Sequence, residues 1–149
     1  MSIKHHAVQA AIFSALFAPY LGWDTIVIFL SMLFIDLDHY LDYIIVCRRF
    51  GIKSMFKFHD WLWERRESIY AISIFHTVEV FLLLFVLGFF KRGFWLILFG
   101  FLIHYLADLY FLYKNNSLSV RAFSIIEYML KRNGKGYPLP EMIFGETKK

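Results

Sequence analysis

Asp36, Asp38, Asp42, Glu79 and Asp108 lie inside apolar stretches that contain no Lys or Arg, and His39, His76 and His104 lie there with them. A carboxylate in an apolar surrounding is costly, so its counter-charge has to be a bound cation or a proton. Carboxylates interleaved with imidazoles form a donor set suited to a divalent transition metal. Metal binding is therefore the first chemistry to expect of these residues.

The stretches that carry them are long. The chain has 149 residues, 59% of them hydrophobic and 21% aromatic, which is well above the apolar share of a water-soluble domain and indicates a membrane protein. The apolar runs predict four spans, over 7–21, 23–46, 69–90 and 94–113. All four read as helices, because an isolated strand cannot satisfy its backbone in lipid. Asp24 stands where it can cap or flank the second. Two further segments, 52–67 and 118–132, show apolar residues at helical spacing among charges and predict amphipathic helices at the interface. One helical domain over 1–133 and an irregular tail over 134–149, marked by Pro138, Pro140 and Gly145, complete the expected organisation. The single Cys47 excludes an internal disulfide. The net charge of +4 is not a nucleic-acid signature, because the basic residues lie between apolar spans.

Those basic residues orient the spans. Of the 16 Lys and Arg, only Lys91 and Arg92 fall on the side opposite the N-terminus. The asymmetry predicts cytoplasmic N- and C-termini. At ~1.5 Å per residue, His39 then lies roughly 10 Å from the cytoplasmic end of its span, His76 about 12 Å and His104 about 14 Å. Asp36 lies at roughly 15 Å, Glu79 at about 16 Å and Asp108 at about 8 Å. His5 and His6 enter the first span from the same side. Residues on four separate helices thus agree in depth, as a single site requires.

Spacing refines the set. His104 and Asp108 are i, i+4 and share a helix face, and His76 and Glu79 are i, i+3. Asp36 and Asp38 point roughly 160° apart on a regular helix. Both ligate only if the helix is distorted or two ions bind; otherwise one of them orients a ligand histidine from behind. A lone buried His or Asp is more often structural than functional. That reading suits His59, among charges in the interfacial segment, and Asp42, close to Arg48 and Arg49. There is no Gly-rich phosphate loop and no recognisable serine nucleophile motif.

At these residues the chain resembles the YdjM-like inner-membrane-bound metal-dependent hydrolases. The resemblance runs from His6, with Ala7 and Ala10, through Ile35-Asp36-Leu37-Asp38-His39 and Phe75-His76-Thr77, to His104-Tyr105-Leu106-Ala107-Asp108. Ile35 stands where the family has Pro, and Ala10 where Gly is common. The alternation of His, Asp and His-x-x-x-Asp is also similar to the ligand pattern of zinc-dependent phospholipase C. The resemblance implies an integral protein of a bacterial or archaeal cell membrane that hydrolyses a lipid or phosphoester.

The expectation is an all-α membrane protein: about four transmembrane helices in a bundle, with amphipathic helices on the cytoplasmic side. His6, Asp36, Asp38, His39, His76, His104 and Asp108 are the expected metal ligands. Zn²⁺ is the expected ion, with Mn, Fe or Mg as other occupants. Glu79 and Asp38 are the candidate general bases. Membrane lipid is both the surroundings and a candidate substrate, and no nucleic-acid partner is expected. Two non-enzymatic readings stand beside this one: a small transporter of protons or metal ions that uses the same groups, and a membrane scaffold with a vestigial site.

Overall fold

The computed structural model describes residues 3–65 and 69–131. The tail over 134–149 lies outside them, as do the last residues of the expected 52–67 and 118–132 helices.

The first helix, α1 (Ile3–Leu21), stops at Gly22, whose φ of +54° is the left-handed conformation that glycine adopts without steric cost. A short 3-10 turn, Gly22–Asp24, reverses the chain, and Thr25 Oγ1 closes it by donating to the Gly22 carbonyl at 2.6 Å. Helix α2 (Thr25–Phe34) then packs back along α1. Asp24 makes no side-chain cap on α2; it pairs instead with Arg92 at 2.6 Å and ties the turn to the start of α6 (Arg92–Lys114). The expected single helix over 23–46 is interrupted by a turn at Ile35 and Asp36, beyond which α3 (Leu37–Cys47) begins. Helix α4 (Ile52–Glu64) is amphipathic, and its Phe58 buries against Tyr43 and Cys47 of α3.

The largest departure from expectation is at 69–77. A helix was expected to begin near Ile69, but the chain is extended there apart from a 3-10 turn, Ile74–His76. Helix α5 (Val78–Gly88) is 11 residues long, or ~16 Å at 1.5 Å per residue, about half the thickness of a bilayer core. Ile69, Ile72, Ile74 and Thr77 are β-branched and weak helix formers. Ala71 finds its backbone partners across the chain instead: its N–H donates to the Val120 carbonyl, and its carbonyl accepts from the Ala122 N–H, both at 2.9 Å. This isolated bridge between Ala71 and Arg121 is the only β-pairing among the described residues. The helix expected over 118–132 is shortened to α7 (Ile125–Lys131) for the same reason. Ser124 Oγ caps α7 by accepting from the N–H groups of Ile126 and Glu127, while Glu127 reaches back to the Phe123 N–H at 2.9 Å.

Helices α2 and α5 pack on α6, and α1 packs on α2. One core joins Ile35, Leu84, Leu98 and Phe101; another joins Ala10, Ile28 and Met32. At Gly100 the backbones of α2 and α6 approach so closely that a Cβ would overlap Ser31 Oγ and stand 2.9 Å from the Ile28 carbonyl oxygen. This contact fixes the register between the end of α2, beside Asp36, and the turn of α6 that carries His104. The outward faces of α1, α5 and α6 stay apolar: Val8, Ile12, Leu16, Leu82, Leu83, Val86, Leu102 and Leu106 are all exposed. Two helical stretches, His5–Cys47 (which folds back at Gly22) and Arg92–Lys114, are long and apolar enough to cross a membrane.

Gly100→Val is expected to destabilise the protein by about 1–3 kcal/mol through overpacking. Gly93→Ala, where an added Cβ meets nothing within 4 Å, is expected to change little. Thermal unfolding of both variants in detergent checks the contrast.

Candidate metal centre

The break in the second helix brings Asp36 into the site. As the residue before α3 it has φ −75° and ψ 0°, and its carboxylate makes no cap hydrogen bond to that helix. Its oxygens turn toward the histidines. Asp36 Oδ2 lies 3.7 Å from His6 Nε2, and Asp36 Oδ1 lies 3.3 Å from His104 Nε2 and 3.7 Å from His76 Nε2. Asp108, one turn beyond His104 on α6, faces the same point. Its Oδ1 is 3.7 Å from His6 Nε2, and its Oδ2 is 3.5 Å from His104 Nε2 and 3.7 Å from His76 Nε2. His6, Asp36, His104 and Asp108 offer ligand atoms that all lie within 4.8 Å of one another, a group that could hold a metal ion.

The tautomers suit a cation. His104 Nδ1 donates to the Met32 carbonyl at 2.8 Å and His76 Nδ1 donates to Asp38 Oδ2 at 3.0 Å, which leaves both Nε2 lone pairs directed inward. Among the described residues those two Nε2 atoms, Asp36 Oδ1 and Asp108 Oδ1 are buried without a hydrogen-bond partner. Buried polar atoms are normally satisfied, so four that converge on one point fit a ligand. The His6 and His104 rings stack at 4.2 Å between centroids, which holds His6 of α1 over α6. His6, rather than the exposed His5, is thus the histidine that α1 contributes.

Asp38 has a different place from the one expected of a ligand or base. Its Oδ2 accepts from His76 Nδ1 and from the Phe75 N–H at 2.9 Å, and its Oδ1 lies 3.2 Å from His39 Nδ1. It therefore sits behind the His76 imidazole and orients it, as carboxylates behind metal-binding histidines do, while His39 stands beside its other oxygen. His39 is the outermost of the set. Its side chain is 34% exposed, its Nε2 lies 3.6 Å from Asp36 Oδ1, and Ser73 Oγ lies 3.3 Å from its Nδ1. Beyond it lies a cavity of about 340 Å³ lined in part by His39, His59, Asp108 and Arg121. His59 donates from Nε2 to the His39 carbonyl at 2.9 Å, and burial holds its imidazole below the ordinary histidine range. Asp42 is buried on α3 rather than at the surface.

Glu79 stands apart from the cluster. Its Oε1 accepts from Ser124 Oγ at 2.5 Å and from the Ile125 N–H at 3.0 Å, so it joins α5 to the start of α7. The expected i, i+3 pairing with His76 fails because His76 lies in the 3-10 turn and not on a helix. A general-base role for Glu79 does not fit this position. Sequence reasoning missed Arg121, which lies 3.7 Å from Asp108 Oδ2. No periodicity could have found it, since the bridge to Ala71 sets its position.

No family model, no curated protein and no solved structure matches the chain. Asp38→Asn is expected to weaken Zn²⁺ binding by about 10- to 100-fold, because the His76 imidazole loses its orienting carboxylate. Glu79→Gln is expected to leave it unchanged. Competition against a chromophoric chelator measures both.

Proposed function

We propose that this protein is a membrane-embedded, metal-dependent hydrolase that acts on a lipid or phosphoester at the cytoplasmic leaflet. The observation that carries this reading is the convergence of His6, Asp36, His104 and Asp108 at the Lys- and Arg-rich end of an otherwise apolar bundle. His76 Nε2 adds a further donor, and the imidazole-rich set favours Zn²⁺. An ion held there would lower the pKa of a water and polarise the bond under attack.

The chain's own groups supply the rest. His39, which meets Ser73 Oγ at Nδ1 and lines the cavity, is the group best suited to accept a proton from the attacking water. Asp36 and Asp108 would hold negative charge around such an ion, and Asp38 keeps His76 in the required tautomer. The exposed apolar faces of α1, α5 and α6 support membrane insertion, and the Lys and Arg distribution supports cytoplasmic termini. The packed Leu84, Leu98 and Phe101 beyond the site favour a pocket open to one side over a conduit for ions.

Protein purified in detergent without chelators is expected to carry stoichiometric Zn²⁺ and to release headgroup or phosphate from a mixed lipid panel. His104→Ala and Asp108→Ala should lose the metal and the activity together. His39→Gln should keep the metal and lose about 100-fold or more in rate. Metal analysis and headgroup release on the same preparations decide the matter; wild-type protein without metal contradicts the proposal.

A further inference from the structure

Arg121 is 9% exposed, an unusual position for a guanidinium. A buried Arg is costly unless its donors are met. Its ionic contact, Nη1 to Asp108 Oδ2 at 3.7 Å, is longer than a hydrogen bond. Nε and Nη2, the two donors that form the side-on fork of the guanidinium, are buried with no hydrogen-bond partner among the described residues. That fork matches two oxygens of one oxyanion.

Its setting is built rather than incidental. Arg121 is pinned by the bridge to Ala71, two residues before Ser73 and five before His76, so one extended segment fixes it relative to the site. A separate hydrogen bond, from the Val78 N–H to the Phe123 carbonyl at 3.0 Å, ties the start of α5 to the chain just beyond Arg121. Arg121 lines the cavity beside Asp108 and His39, and it is the only Lys or Arg among the described residues that do so. Trp63, Ile69 and Phe111 line the cavity too, with the Trp63 and Phe111 rings 5.3 Å apart between centroids. The cavity lining thus combines a guanidinium beside the candidate metal position with apolar and aromatic groups, and Asp60 and Asp108 line it as well.

We propose that Arg121 is the substrate-binding residue of this site and that it grips the phosphate of an amphiphilic phosphate ester, with the ester's apolar part against Trp63 and Phe111. A tetrahedral phosphate has oxygens enough to meet the fork and the metal position at once. The proposal deepens the hydrolase reading and rests on it for the fate of the bound ester, but phosphate recognition by the fork stands or falls separately.

The test is calorimetric titration of Zn²⁺-loaded protein in detergent, with inorganic phosphate as one probe and lipid nanodiscs containing phosphatidic acid as the other. Bound metal is measured in parallel. Wild type should bind phosphate. Arg121→Gln should bind it about 10- to 100-fold more weakly at unchanged metal content, the loss expected for a charge-assisted pair of hydrogen bonds. Arg121→Lys, which keeps the charge but not the fork, should recover only part of the loss, and it decides the matter if Arg121→Gln fails to fold. Tighter binding to the nanodiscs assigns the phosphate to a lipid headgroup, and binding of inorganic phosphate alone assigns it to a soluble ester; either supports recognition by Arg121. Phosphate affinity unchanged in Arg121→Gln, no phosphate binding by metal-loaded wild type, or loss of metal in both Arg121 variants overturns it. Wild type that lacks metal but binds phosphate through Arg121 would contradict the hydrolase reading and leave this one standing.

Discussion

Buried negative charge governs this structure. Asp36, Asp38 and Asp108 meet in one place, and among the described residues Arg121 is the only guanidinium set against them there. With neutral imidazoles the group is short of two positive charges. A divalent cation removes that deficit without forcing a carboxylate to take up a proton in a low-dielectric setting. The inward Nε2 atoms of His76 and His104 are the lone pairs such a cation needs, and each is fixed by what its own Nδ1 does.

The irregular parts of the fold follow from this requirement. A straight helix over 23–46 would send Asp36 and Asp38 to opposite faces. The break at Ile35 and Asp36 lets Asp36 face the ion position while Asp38 stands behind His76. The unwound segment before α5 serves the same end. It frees the Phe75 N–H to donate to Asp38, carries His76 inward, and offers Ala71 as the partner that holds Arg121. Regular helices set the frame through close packing at Gly100, and the two departures from helicity build the site.

This division explains what could be read from sequence. The helices α1 and α6 were legible, because apolar length and end signals act locally; so was the His104–Asp108 pair, which regular helix geometry places on one face. Of the seven expected ligand residues, His6, Asp36, His104 and Asp108 form a group that could hold an ion, with His76 Nε2 beside it and Asp38 and His39 farther out. Their roles were less legible. Asp38 and Asp36 could be separated only once the helix break was known. Glu79 looked like a neighbour of His76 on the assumption of a helix that is not there, and it proved to join α5 to α7 through Ser124. Arg121 was read as one more basic residue of the cytoplasmic side; its inward place depends on a long-range backbone pairing that leaves no periodic trace.

The central claim is that these histidines and carboxylates bind one ion directly. X-ray absorption at the zinc edge of the loaded protein tests it with least intervening inference. The account predicts a shell of nitrogen and oxygen at about 2.0–2.2 Å, with outer-shell scattering from at least two imidazoles that diminishes in His104→Ala. A shell of oxygen alone, with no imidazole scattering, or a spectrum that His104→Ala leaves unchanged, would contradict it.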